Sequence, residues 1–197
     1  MARHDEVEIK FVVHDVTTLQ QSLASNGFEE KTPPTHETNT LYDLPDQQLR
    51  NRGELLRLRL YGDKWKLTHK SKGTATRHKT RVEHETTIGD GEQMNNILID
   101  LGYGPTFVYE KFRSEWSDGH GEVVIDRTPI GDIAEIEGPP DWIDQTAKNL
   151  GVMEKDYITK SYAELFFDWK RRTKSDAENM TYKECGTKRA QIMPRTE

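Results

Sequence analysis

The chain has 197 residues and a formal net charge of −6, with 33% hydrophobic and 31% charged residues. That length suits one core with or without an appendage, and the acidity speaks against general binding to nucleic-acid backbones. A single cysteine, Cys185, excludes an internal disulfide and a multi-cysteine zinc site.

No apolar run approaches the roughly 18–20 residues of a membrane span, and the opening "MARHDEVEIK" lacks an apolar signal core. The expectation is a soluble cytoplasmic protein with no membrane or nucleic-acid partner. In chain order, residues 5–13 alternate charged and apolar, the period of a strand. "DVTTLQQSLASNG" predicts a helix with Asp15 as N-cap and Gly27 as its stop. Strands follow over 37–43, 54–61, 64–71 and 79–88, separated by the turn signals "YGDK" and "SKGT". "GEQMNNILIDLG" predicts a second helix, and strands over 106–117, 121–128 and 132–138 bring the set to eight. "DWIDQTAKNLG" reads as a third helix, and "ITKSYAELFFDWKRR" as a last one with Tyr162, Leu165, Phe166 and Trp169 on its apolar face. Residues 1–170 form the predicted domain; 171–197 are polar and aperiodic and are expected to be a flexible tail. "KTPPTHETN" and "DLPDQQLRNRG" are expected as mobile loops near an opening.

Most of the strands carry one apolar and one charged face, because successive side chains on a strand point opposite ways. Val7, Ile9 and Phe11 oppose Glu6, Glu8 and Lys10; Leu56, Leu58 and Leu60 oppose Arg57 and Arg59. Lys66 and Lys70, then Arg81, Glu83 and Glu85, then Lys111, Arg113 and Glu115, and finally Glu135 and Glu137 repeat the pattern. A wet outer face explains any one such strand. Helices with large apolar stripes change the picture, since they must cover the apolar faces and leave the charged ones together. Eight antiparallel strands with this pattern predict an α+β protein: a closed or nearly closed barrel, with a charged tunnel inside and helices around it. Such a tunnel must be hydrated or hold ligands, because an unpaired desolvated ion is costly. Arg57, Arg59, Lys70, Lys111 and Arg113 suit a polyanion such as a triphosphate chain. Glu6, Glu8, Glu135 and Glu137 suit a hard divalent cation, Mg2+ or Mn2+.

The E-x-E-x-K opening (Glu6, Glu8, Lys10), "RLR", "THKSKG", "RVEHE", "EKFR", Asp126, "GDIAEIEG" and "KSYAEL" together resemble the CYTH superfamily, the triphosphate tunnel metalloenzymes, across residues 4–168. The resemblance implies Glu6, Glu8, Glu135 and Glu137 as metal ligands, with Glu83, Glu85 and Asp126 as auxiliary carboxylates. It implies Lys10, Arg57, Arg59, Lys70, Lys111 and Arg113 as phosphate contacts, and Glu8, Glu135, Lys10 and Arg59 as the residues closest to the chemistry. "LGYGPTFVYEKFRSEW" with "GDIAEIE" is most similar to the class IV adenylate cyclase branch, in which ATP yields cyclic AMP and pyrophosphate. A tripolyphosphatase or a nucleoside or thiamine triphosphatase uses the same clamp, and a non-catalytic polyphosphate or nucleotide binding module is the alternative of another class. The implied partner is a small triphosphate: ATP, tripolyphosphate or thiamine triphosphate. A homodimer is left open.

The seven histidines have no zinc-binding spacing, and Cys185 falls in the expected tail, away from any catalytic role. Tyr162 is read as core packing, with a place at the tunnel mouth as the alternative, and Lys160 as one further cation near that mouth.

Overall fold

Period-two alternation becomes one antiparallel sheet that closes on itself. The computed structural model describes residues 5–186. The strands are β1 (Asp5–Val12), β2 (Glu29–Asp43), β3 (Leu55–Tyr61), β4 (Lys64–Lys70), β5 (Thr74–Ala75), β6 (Lys79–Ile88), β7 (Gly104–Ser117), β8 (Glu122–Thr128) and β9 (Gly131–Glu137). Their order is β1-β9-β8-β7-β2-β3-β4-β6-β5, and β1 also pairs with β6, so eight strands form a closed barrel with the two-residue β5 appended to β6. Closure leaves no long open edge.

Helices cover the apolar outside. α1 (Val16–Ser25) starts where the Asp15 carboxylate accepts the Thr18 amide at 3.1 Å, and the chain leaves it through Gly27 at φ +84°, as its sequence predicts. Leu19 and Leu23 of α1 and Ile143 and Ala147 of α4 (Pro140–Asn149) pack over Ile9, Phe11, Ile125 and Ile136. α3 (Gly91–Asp100) places Leu98 and Met94 against Leu58, Trp65 and Leu67. Each fully buried side chain of this kind contributes about 1.5–3 kcal/mol.

α5 (Tyr162–Thr173) does something different. A capping box between Ser161 and Glu164 fixes its start. Its Tyr162, Leu165, Phe166 and Trp169 pack with Phe107, Tyr109 and Ile133, with Val12 and Leu41 at the edge. By alternation these strand residues continue the inward rows Lys111–Tyr109–Phe107, Glu137–Glu135–Ile133, Glu8–Lys10–Val12 and Glu37–Asn39–Leu41. Along β1, β2, β7 and β9 the bore therefore turns from charged to apolar toward one end, where α5 seals it.

Three expectations need correction. β2 begins at Glu29, so "KTPPTHETN" is strand; Pro33 and Pro34 fall where the pairing with β7 shifts register between Thr32 and Thr35, so their missing N–H groups cost no ladder bond. "DLPDQQLRNRG" is pinned, because the Asp43 carboxylate accepts the amides of Leu44, Leu49 and Arg50 at 2.7, 2.8 and 3.0 Å and organises the short α2 (Gln48–Asn51). Residues 171–186 are not a loose tail: α5 runs to Thr173, Ala177 and Met180 are buried, and α6 (Tyr182–Cys185) follows. β8 pairs with β7 only from Phe112 onward, which leaves backbone groups of Val108 and Glu110 to be satisfied. Val108 donates to Asn179 Oδ1 at 2.8 Å and accepts from the Met180 amide at 3.0 Å, and Glu110 donates to the Met180 carbonyl at 3.0 Å. The remainder of the expected tail, 187–197, lies outside the described residues. No helix is long and apolar enough to cross a membrane among the described residues.

Candidate active site

The barrel interior holds a cavity of about 580 Å³ lined by Glu6, Glu8, Lys10, Arg57, Arg59, Lys70, Lys111, Arg113, Glu135 and Glu137, the residues expected as metal ligands and phosphate contacts. Register explains the convergence. Lys10 lies opposite Glu135, Glu8 opposite Glu137, Arg59 opposite Lys66, and Lys70 opposite Glu83.

Most of these charges already face an opposite one. Lys10 reaches Glu8 at 2.8 Å and Glu135 at 3.3 Å, and Lys70 reaches Glu6 at 2.7 Å and Glu83 at 2.9 Å. Arg59 and Lys66 share the Glu85 carboxylate at 3.0 and 2.5 Å. Arg113 donates to Asp126 and to Glu135 at 3.0 Å. Burial opposes the charge on Lys10, yet Glu135 and Glu8 hold its ammonium above the ordinary range. Burial likewise opposes ionisation of Glu135, and Lys10, Arg113 and Lys111 override it, keeping the carboxyl well below its ordinary value. The opposite happens at the rim. Glu137 keeps solvent contact, but the protein crowded round it and the neighbouring Glu6 carboxylate push it up to about 8. Glu6 is raised too, by burial and by the Glu8 and Glu83 charges beside it.

A second tier of carboxylates lies beneath the wall. Asp126, expected beside the metal ligands, is fully buried and is not part of the cavity lining. It accepts Lys111 at 2.9 Å, Arg113 at 2.8 and 2.6 Å, and the Tyr162 hydroxyl. Tyr162 is core packing on α5, as expected, and it does not stand at an open mouth: its ring lines the cavity at the end that α5 seals, with its hydroxyl donating to the buried Asp126. The Lys111 ammonium sits 4.5 Å from the centre of its ring. Glu37 is fully buried as well, 3.6 Å from Lys111, 3.7 Å from Arg59 and 3.9 Å from Arg113. Lys160, in contrast, pairs with Asp168 on the surface.

Sequence reasoning missed Glu37, Asn39, Tyr109, Lys79 and Glu122. Glu37 and Asn39 do alternate in "HETNTLY", and that period was their signal; a single acid and an amide on one strand gave it no weight. Burial opposes ionisation of Glu37, and Lys111, Arg113 and Arg59 overcome it, holding the carboxyl down to about 2 against a usual 4.5. Across that window the unfolded chain binds the proton and the folded one does not, so Glu37 stabilises the fold above about 4.5 and this contribution is lost as pH falls toward 2. Urea denaturation between pH 5 and pH 2.5 is expected to give a shallower acid loss for Glu37→Gln than for the wild type; equal slopes would refute that contribution.

Two guanidinium donors are left over: Arg57 Nε and Arg59 Nε are buried and have no hydrogen-bond partner. Buried N–H groups of this kind call for an acceptor. Among the described residues no preformed cluster of three or more acidic, histidine or cysteine ligands is found, because lysines stand between the glutamates.

Comparison with known proteins gives the same picture. A candidate adenylate cyclase of Methanocaldococcus jannaschii is 28% identical over 171 residues, covering 81% of this chain and 97% of that protein. The structure of a candidate adenylate cyclase of Vibrio parahaemolyticus matches with a TM-score of 0.76 at 20% identity, over 84% of this chain and 99% of its own. A candidate adenylyl cyclase of Hippeastrum, described as revealing a dominant triphosphatase activity, matches with a TM-score of 0.61 at 18% identity, over 82% and 95%. At these identities the two structures speak for the fold. A CYTH domain model matches residues 4–162, which contain all eight barrel strands and the tunnel wall, and the chain belongs to the CYTH domain family.

Proposed function

We propose that this chain is a divalent-metal-dependent enzyme that cleaves a triphosphate inside the tunnel, with conversion of ATP to cyclic AMP and pyrophosphate as its first assigned reaction. The observation that carries the reading is the charge balance of the wall. Nine lysines and arginines line the cavity against eight glutamates, with Glu37 and Asp126 buried behind them, so the wall carries no large positive excess. A triphosphate brings several negative charges that such a wall alone does not offset; a divalent cation entering with it removes two of them. The donor set fits such a cation. Glu6, Glu8, Glu135 and Glu137 offer only oxygen, the preference of Mg2+ and Mn2+, and the carboxylate neighbours that add to burial in raising Glu6 and Glu137 make a place where a cation is favourable.

In this reading the four glutamates hold the metal, which when bound supplies Lewis-acid stabilisation of the phosphoryl oxygens. Arg57 and Arg59, whose side chains line the cavity, contact the phosphate chain, with Lys10, Lys70, Lys111 and Arg113 as further contacts. Glu8 and Glu135 keep Lys10 ionised, and Asp126 keeps Lys111 and Arg113 oriented, so the positive charge is in place before the oxygens gain charge. For cyclisation the ribose 3′-hydroxyl attacks the α-phosphorus and pyrophosphate departs in line. The names of the Methanocaldococcus and Vibrio proteins support this order of preference. Hydrolysis by attack of water on the terminal phosphorus is the second reading, supported by the activity ascribed to the Hippeastrum protein.

The test is incubation of purified protein with ATP, thiamine triphosphate or tripolyphosphate, each with Mg2+ or Mn2+ and with a chelator. Cyclic AMP with pyrophosphate supports the first reading and orthophosphate the second. No product from any of the three would end the enzymatic assignment.

A further inference from the structure

Lys111, Arg59 and Arg113 stand above two buried carboxylates that treat them differently. Asp126 binds two of them through short, directed hydrogen bonds of 2.6 to 2.9 Å. Glu37 makes no such bond to any of the three: its contacts with them are 3.6, 3.7 and 3.9 Å. Its Oε1 accepts the Asn39 amide at 2.8 Å, and its Oε2 has no hydrogen-bond partner. Glu37 is 0% exposed and absent from the cavity wall, so it does not touch a ligand in the tunnel. What it contributes is a unit of negative charge directly beneath the cations, at the desolvation cost that any buried carboxylate carries. Asn39, also 0% exposed, holds the group in place with a neutral donor and leaves the charge intact.

We propose that Glu37 acts as a charge filter, lowering the tunnel's affinity for free polyphosphate more than for the metal-complexed form, and so determines which form of the substrate is admitted. The inference rests on the triphosphate reading above and goes beyond it. Repulsion between Glu37 and a ligand scales with the ligand's own charge. A divalent cation removes two negative charges from a triphosphate, so the free anion is penalised more heavily than the complex. A group that only positioned the cations would act on both forms alike.

The experiment is calorimetric titration of tripolyphosphate into wild-type protein and Glu37→Gln, once with a chelator and once with saturating Mg2+. Without metal the variant is expected to bind at least ten-fold more tightly, since a unit-charge pair at an effective dielectric of about 20 is worth that much even at roughly 12 Å. With Mg2+ the gain is expected to be smaller, so the preference for the metal-complexed form shrinks. Metal-free binding that is unchanged or weaker, or equal shifts under both conditions, would overturn the filter. Should Glu37→Gln fail to fold by thermal melting, Glu37→Asp keeps the charge and is expected to leave the ratio of metal-free to Mg2+-bound affinity at its wild-type value; a ratio that shifts would overturn the filter again. Wild-type protein that binds no tripolyphosphate even with Mg2+ would defeat the triphosphate reading itself and the filter with it, an outcome distinct from a wild type that binds and a variant without the predicted shift.

Discussion

Replacing Glu8 by Gln is expected to lower metal-dependent turnover of a triphosphate by about 10²–10³-fold, the usual scale for losing one preorganised electrostatic contribution. Glu8 sits on the inward row between Glu6 and Lys10 and opposite Glu137, and it is nearly inaccessible to solvent, at 7%. Burial opposes its ionisation, and Lys10 at 2.8 Å nonetheless keeps it below its ordinary value. Gln preserves the volume and loses the charge. Lys10 retains Glu135 at 3.3 Å, so no buried ammonium is abandoned and the barrel is expected to survive. Removing a carboxylate from the proposed metal set should also move the Mg2+ dependence to higher concentration. Steady-state rates over a Mg2+ series, beside a thermal melt, provide the check. Wild-type kcat and an unmoved Mg2+ curve would remove Glu8 from the metal set.

Asp126→Ala acts on the fold. Lys111 is 2% exposed and Asp126 0%, and the carboxylate also binds Arg113 and the Tyr162 hydroxyl. Its removal leaves Lys111 with Glu37 at 3.6 Å as its remaining ion-pair partner and takes from α5 one polar tie to the barrel. Breaking a buried pair from one side typically costs about 3–5 kcal/mol, a large share of the 5–15 kcal/mol that holds an ordinary domain together. Urea denaturation should show this loss at neutral pH. A change below about 1 kcal/mol would mean that Lys111 and Arg113 find other partners, and that Asp126 does not hold the second tier in place.

The strand faces were legible because alternation is a local rule. Glu6, Glu8 and Lys10 share a side of β1 whatever β1 pairs with, and the same holds for Arg57 with Arg59, Lys111 with Arg113, and Glu135 with Glu137. The start of β2 was not legible, because Pro33 and Pro34 argue locally for a loop and are tolerated only by the register shifts against β7. Residues 175–186 misled in the same way: a polar, aperiodic stretch becomes ordered when β7 offers it unpaired backbone groups. Asp126, which the resemblance put beside the metal ligands, lies beneath the wall instead, since burial depends on what covers a residue.

That charged rows lie opposite apolar ones follows from the order of residues alone, and the apolar stripes on the helices required those rows to meet. The pairing of β1 with β6 that closes the bore, the apolar plug beneath α5 and the two carboxylates under the cations emerge only in the folded barrel. Those features depend on register and on contacts between residues far apart in the chain, which no local period encodes.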